Sequence, residues 1–134
     1  MKFVIVDYSE IYYGGIAKIE RPKKIVGKFV QLRHADTEYL VFSPKEFTRY
    51  HADLVEKFCS DRGIDGTYNS RVKRFDIHDP SWTVTGGGKF EADVDGKRLR
   101  LYDDSMAYGK FVSKGLKEKI LSAKGMSAYK VEIE

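Results

Sequence analysis

A chain of 134 residues with 42% hydrophobic and 33% charged side chains is long enough for one domain with its own apolar core, and its balance is that of a soluble globular protein. A single cysteine, Cys59, excludes an internal disulfide framework, and the apolar run Phe3–Val6 is too short for a signal peptide or a membrane span, so a cytoplasmic protein is expected. The net charge of +4 permits an anionic partner without identifying one.

In chain order, Lys2–Asp7 reads as a short buried strand, Gly14-Gly15 as a break, and Ile16–Ile19 as a second extended piece. "RPKKIVG" (21–27) reads as a basic turn, and Lys28–Arg33 and Glu38–Phe42 as strands joined by a polar loop. "SPKE" then offers Ser43 as N-cap, Pro44 at the first helical position and Glu46 three residues on, a capping box. Phe47, Tyr50, His51, Leu54, Val55 and Phe58 recur at helical spacing, with Gly63 as the stop. Cys59 falls within this helix among apolar neighbours and is read as a buried, inert thiol. The stretch 60–81 is the hardest to assign and reads as an excursion with a polar tip. Strands follow near Arg71–Ile77, Thr83–Thr85, Lys89–Val94 and Lys97–Tyr102, then a helix over about Ser113–Lys124 stopped at Gly125, then a strand at Ala128–Ile133. Two helices among these strands predict an α/β (α+β) fold built on one mixed sheet.

The turn "VDGK" (94–97) fixes a register. An Asp95-Gly96 type I′ hairpin sets Asp93 opposite Arg98 and Glu91 opposite Arg100 on one face, with Ala92 opposite Leu99 and Phe90 opposite Leu101 on the other. A one-residue slip destroys both agreements. Extended backwards, the same register sets Gly86, Gly87 and Gly88 beside Ser105, Asp104 and Asp103. Two readings stand for this juncture. One is a wide glycine turn beside a loop packed by Met106 and Tyr108. The other is a nest of converging backbone N–H groups for an anion, with Ser105 adding a hydroxyl and Lys89 a charge. "GGGKF" lacks the spacing of a P-loop.

His34, His51 and His78 sit on different expected elements with no zinc-like spacing, so no metal site is read from them. His51 shares the apolar helical stripe. It is either a core histidine satisfied by one hydrogen bond or an imidazole at a pocket wall that titrates near neutrality. The basic stretches at Arg71–Arg74 and Lys97–Arg100 are read as solvated strand faces rather than as nucleic-acid contacts.

Three segments, "RYHADLVEKF" (49–58), "GGGKF" (86–90) and "SMAYG" (105–109), together resemble the phosphohistidine phosphatase family, which includes the janus and ocnus proteins. "GKFVQLR" (27–33) resembles that family's first core strand, and the likeness extends over roughly residues 27–60 and 82–133. The resemblance implies a mixed sheet of about six strands between helices on both faces. It implies His51 as the essential histidine, Lys28 as a lysine tied to activity, and phosphate contacts from Tyr50, Ala52, Lys89, Ser105, Met106 and Ala107. Residues 1–26 and 62–81 stand as additions, and Lys89 replaces the arginine common in the animal proteins, a point charge rather than a bidentate fork.

The expected activity is metal-independent hydrolysis of the P–N bond of phosphohistidine, in a protein or a small phosphoramidate, with no cofactor and with His51 as nucleophile or general base. Free phosphate or sulfate is expected at the same loop. No membrane partner is expected. The alternative is a non-catalytic phosphate- or nucleic-acid-binding regulator of the same fold.

Overall fold

The segment Lys24–His34 carries apolar side chains on both sides of its pleat, so as a strand it must be covered on both faces. In the computed structural model, which describes residues 1–134, it is the long strand β2 near the middle of a six-stranded mixed sheet. The other strands of the sheet are β1 (Lys2–Asp7), β3 (Thr37–Pro44), β6 (Trp82–Asp93), β7 (Arg98–Tyr102) and β8 (Lys130–Ile133), in the order β1-β3-β2-β6-β7-β8. β1 runs parallel to β3 and β8 parallel to β7, while the four central strands are antiparallel. The helix α1 (His51–Asp61) and the hairpin β4 (Gly66–Asn69)–β5 (Arg74–Ile77) lie on one face, and the short helix α2 (Leu116–Ser122) on the other. The fold is α+β.

Each face has its own core. Leu54, Val55, Phe58 and Cys59 of α1 close over Val30, Leu32 and Val41, with Phe75 of the hairpin sealing the side. On the opposite face Leu116 and Ile120 of α2 cover Phe29, Leu40, Leu101 and Val131, joined by Phe111 from the preceding loop. Burial of each such side chain contributes about 1.5–3 kcal/mol. One buried polar cluster interrupts the apolar face. The Gln31 amide donates to the Val112 carbonyl (3.0 Å) and accepts from the Val112 N–H (2.8 Å), and the buried Glu38 carboxylate takes the Lys119 ammonium at 3.0 Å. This cluster ties the chain after residue 109 to the middle of the sheet.

The charge-paired register of β6 and β7 is the one observed: Asp93 faces Arg98, Glu91 Arg100, Ala92 Leu99 and Phe90 Leu101. Its turn differs from the type I′ expectation. Residues 94–97 form a wider loop in which Lys97, not the Asp95-Gly96 pair, takes the left-handed conformation (φ 54°), and the Asp93 carboxylate accepts the Gly96 N–H. A two-residue turn and this four-residue loop share the same pairing sum, so the register survives.

Other elements shift. The "SPKE" capping box does not start a helix: Ser43 and Pro44 end β3, opposite Lys28 and Gly27. Strand pairing outcompetes the local cap, and only a single turn forms, with the Phe47 and Thr48 N–H groups bonded to the Pro44 carbonyl. Tyr50 is extended (φ −122°, ψ 157°), and α1 begins at His51, with the Asp53 carboxylate accepting the Tyr50 N–H at 3.0 Å. Gly63 stops α1 as expected, at φ 67°. Residues 16–19 are not a strand. The chain makes one wide turn over Ile11–Ile16, closed by the Ala17 N–H on the Tyr12 carbonyl. The "RPKKIVG" turn is shorter than expected because Lys24, Ile25 and Val26 already belong to β2. The two expected strands at 83–85 and 89–94 are one strand running straight through the glycines, and the 60–81 excursion contains a hairpin in which only Arg74–Ile77 of the expected Arg71–Ile77 strand pairs.

Candidate functional site

The triple glycine of β6 is explained by what approaches it. A β-carbon on Gly87 would stand 2.8 Å from the Phe29 carbonyl oxygen and 2.9 Å from Cδ2 of His51, and one on Gly88 would stand 2.6 Å from the Tyr102 carbonyl oxygen. At Gly86 (φ 153°) a β-carbon would collide with the backbone of Lys110 and Phe111. A bare backbone is therefore required for α1 to bring its first residue onto the sheet.

His51 is that residue, 8% exposed. Its Nε2 lies 2.9 Å from the Gly88 carbonyl oxygen. A carbonyl only accepts, so Nε2 carries the hydrogen and Nδ1 keeps its lone pair. Nδ1 has no partner in the protein, and no buried side-chain nitrogen or oxygen is left without one, so Nδ1 is the part of the ring that reaches solvent. Burial pushes the imidazole pKa below its ordinary value and the nearby Lys28 ammonium pushes it further. The Gly88 carbonyl and Asp103 oppose this in part. The ring is thus held neutral, as a donor on one side and a base on the other.

Lys28 and Lys89 are direct neighbours across β2 and β6, on the face that carries His51. Lys89 is ion-paired to Asp103 at 3.1 Å. Lys28 makes no ion pair, and burial, then repulsion from Lys89, lowers its pKa. An unpaired, partly desolvated cation within electrostatic reach of an imidazole nitrogen that has no protein partner is an arrangement that favours an anion.

The "SMAYG" segment closes on itself: Ser105 and Gly109 exchange both backbone hydrogen bonds, and the buried Ser105 hydroxyl accepts the Tyr108 N–H at 3.2 Å. The N–H groups of Met106 and Ala107 have no acceptor in the protein, and the Met106 side chain is fully exposed. The loop sits beside the glycines through the Gly87 N–H, which donates to the Gly109 carbonyl. This corrects the backward extension of the register. Gly86–Gly88 border residues 109–111 and the Tyr102 carbonyl, not Ser105, Asp104 and Asp103 in line, because Asp103 takes the left-handed conformation (φ 66°) and turns the chain off the ladder after Tyr102.

Of the residues expected at the site, His51, Lys28 and Lys89 converge on one face of the sheet, and Ser105, Met106 and Ala107 form the adjoining loop. Tyr50 precedes His51 with its ring flanked by the cations of Arg49 (5.3 Å) and Lys73 (5.4 Å). Ala52 is wholly buried in the core under α1, so its methyl makes no contact at the surface, while its backbone N–H in the first turn of the helix has no acceptor in the protein. The other histidines lie elsewhere. His34 stacks on Trp82 at 4.4 Å, and His78 bonds the Thr67 hydroxyl at 2.6 Å. No three His, Cys, Asp or Glu side chains come together as a ligand set. Cys59 is buried, and burial pushes its thiol up to about 11, so it is inert.

Sequence reasoning missed four contributors. Gly88 anchors the imidazole through its carbonyl, and Asp103 balances Lys89. Arg74 donates to the Ala107 carbonyl at 2.8 Å, and the Tyr108 hydroxyl bonds both the N–H and the carbonyl of Phe75, so the β4–β5 hairpin clasps the loop. The glycine run signals the close approach at Gly88 and the loop packing by Tyr108 is expected, but the partners of Asp103 and Arg74 have no local signal. Two surface depressions, of about 560 and 420 Å³, are lined by other residues and do not include His51, Lys28 or the 105–107 loop.

Neither a scan against protein-family models nor a search of curated proteins finds a match to this chain. No helix is long and apolar enough to cross a membrane.

Proposed function

We propose that this protein is a hydrolase of phosphohistidine or a related phosphoramidate, acting without a metal through His51. The observation that carries the reading is the state of that imidazole: Nε2–H is anchored on the Gly88 carbonyl while a solvent-facing Nδ1 lone pair stands beside the unpaired Lys28. The resemblance of "YHAD" and "SMAYG" to phosphohistidine phosphatase motifs supports the same reading.

In this scheme the phosphoryl group rests between the Lys28 ammonium and the unpaired N–H groups of Met106 and Ala107. These donors hold the equatorial oxygens and stabilise the charge that develops on them. Either the His51 Nδ1 lone pair forms a bond to phosphorus as the substrate P–N bond breaks, and water then hydrolyses phospho-His51 to phosphate, or Nδ1 takes a proton from a water whose oxygen forms the new P–O bond. In both, the departing substrate nitrogen leaves protonated, its proton coming from solvent. The P–N bond is labile once its nitrogen is protonated, so positioning and charge stabilisation supply most of the acceleration. Lys89 is held by Asp103 and supplies charge at the rim.

The test is release of phosphate from a histidine-phosphorylated protein and from a small phosphoramidate, with a chelator present throughout. Turnover of both supports the reading. Phosphate binding without turnover leaves the regulator of the same fold as the function.

A further inference from the structure

The β4–β5 hairpin belongs to none of the motifs above, yet it is built against the candidate site. Its tip carries Lys73 in the left-handed conformation (φ 53°), with the ammonium 5.4 Å from the centre of the Tyr50 ring. Arg49 approaches the same ring at 5.3 Å. Arg74, at the start of β5, lies 5.2 Å over the Tyr108 ring and donates to the Ala107 carbonyl. All three cations are exposed. Arg49 and Lys73 have no carboxylate within ion-pair distance, whereas Arg74 is paired to Asp76 at 2.8 Å. Met106, next in the chain to the Ala107 that Arg74 contacts, stands wholly in solvent.

From these positions we infer that the hairpin tip and Arg49 form a docking surface for an acidic protein segment, which presents its phosphohistidine to His51 while its carboxylates meet Arg49 and Lys73 and an apolar side chain meets Met106. The inference rests on the proposed hydrolase reading for the group delivered to His51. Two free cations at the Tyr50 ring, with the loop held by Arg74 presenting Met106, match a peptide that carries acidic residues and an apolar one. A nucleic acid fits less well, because the Tyr50 ring is already engaged by two cations and is not free as a stacking platform for a base.

The experiment uses a histidine-phosphorylated peptide with glutamates on both sides, the same peptide with glutamines, and a small phosphoramidate. These are compared on the wild type and on the double variant Arg49→Glu/Lys73→Glu. The expected result is a kcat/KM for the glutamate peptide that exceeds the glutamine peptide's in the wild type and falls roughly tenfold or more in the variant, with small-phosphoramidate turnover unchanged within about twofold. Equal rates on the two peptides, or an equal loss on peptide and phosphoramidate, overturn it. Docking is also read without chemistry, by fluorescence anisotropy of the unphosphorylated glutamate peptide. Binding that the variant weakens supports the surface even if no phosphoramidate is hydrolysed. Binding that the variant leaves intact, or tighter binding of a single-stranded oligonucleotide to the same face, overturns it.

Discussion

The Nε2 atom of His51 lies 2.9 Å from the carbonyl oxygen of Gly88, and the ring's Cδ2 edge rests on the bare α-carbon of the preceding glycine, Gly87. One strand thus does two things for one imidazole. Its carbonyl fixes the tautomer and its missing side chain makes the room. Helix α1 starts only where that contact is made, with Tyr50 still extended.

Gly87→Ala tests the room. The added methyl would meet the Phe29 carbonyl at 2.8 Å and the imidazole at 2.9 Å, and a ladder carbonyl does not move cheaply. The expected loss of stability is about 1–3 kcal/mol, the usual cost of overpacking, read as a lower midpoint in urea at constant slope. Turnover per folded molecule should fall as well, because the ring is pushed off Gly88. Unchanged stability and activity would mean that the ring is not seated there.

His51→Ala should leave the fold intact and abolish phosphoramidate hydrolysis, since loss of acid–base work alone costs about 10²–10⁴-fold. His34→Ala and His78→Ala serve as controls and should keep most activity, because those rings stack on Trp82 and bond Thr67 on other parts of the molecule. Activities are compared at equal folded fraction by circular dichroism. Near-normal turnover in folded His51→Ala would leave a binding protein.

The pH dependence follows from the direction of the His51 shift. Its pKa is below the ordinary 6.5, chiefly through burial, so the neutral ring that the proposed chemistry needs persists into mildly acid solution. kcat/KM should rise with pH to a plateau, with a midpoint below 6.5. Stability has the same sign. The unfolded chain binds the proton more readily than the native one, so this contribution is present above 6.5 and is lost as pH falls through the native pKa. Urea midpoints across that range should show the loss in the wild type and its absence in His51→Ala.

Phosphate or sulfate should shift the amide resonances of residues 105–107 together with the His51 ring signals, and the shifts should weaken with added salt. Ser105→Ala should reduce the effect. The Tyr108 N–H then loses its acceptor, about 0.5–1.5 kcal/mol, and the loop that presents the free Met106 and Ala107 amides loosens. Shifts confined to Arg71–Arg74, with none at Ser105, would indicate a different anion site.

What could be read from the chain alone was whatever local chemistry determines. The β6–β7 register was legible because opposite charges and apolar partners agree in only one alignment, and Gly63 stops α1 because only glycine takes its left-handed turn without strain. His51, Lys28 and the small-residue loop were singled out by the likeness of their motifs to the phosphohistidine phosphatase family, since their spacing alone left a core histidine and a packed glycine turn open. Tertiary contact decided the rest. Ser43 is a sound N-cap in isolation, yet it ends a strand because its pairing with Lys28 satisfies more backbone than a cap does. The burial of the Ala52 side chain, which leaves only its backbone free for a contact, is set by how α1 packs on the sheet. The tautomer of His51 depends on the Gly88 carbonyl, 37 residues away, and the clasp of Arg74 on Ala107 joins positions 33 apart. Such contacts carry no local signature, because their energy exists only once the sheet has brought distant backbone groups within hydrogen-bond reach.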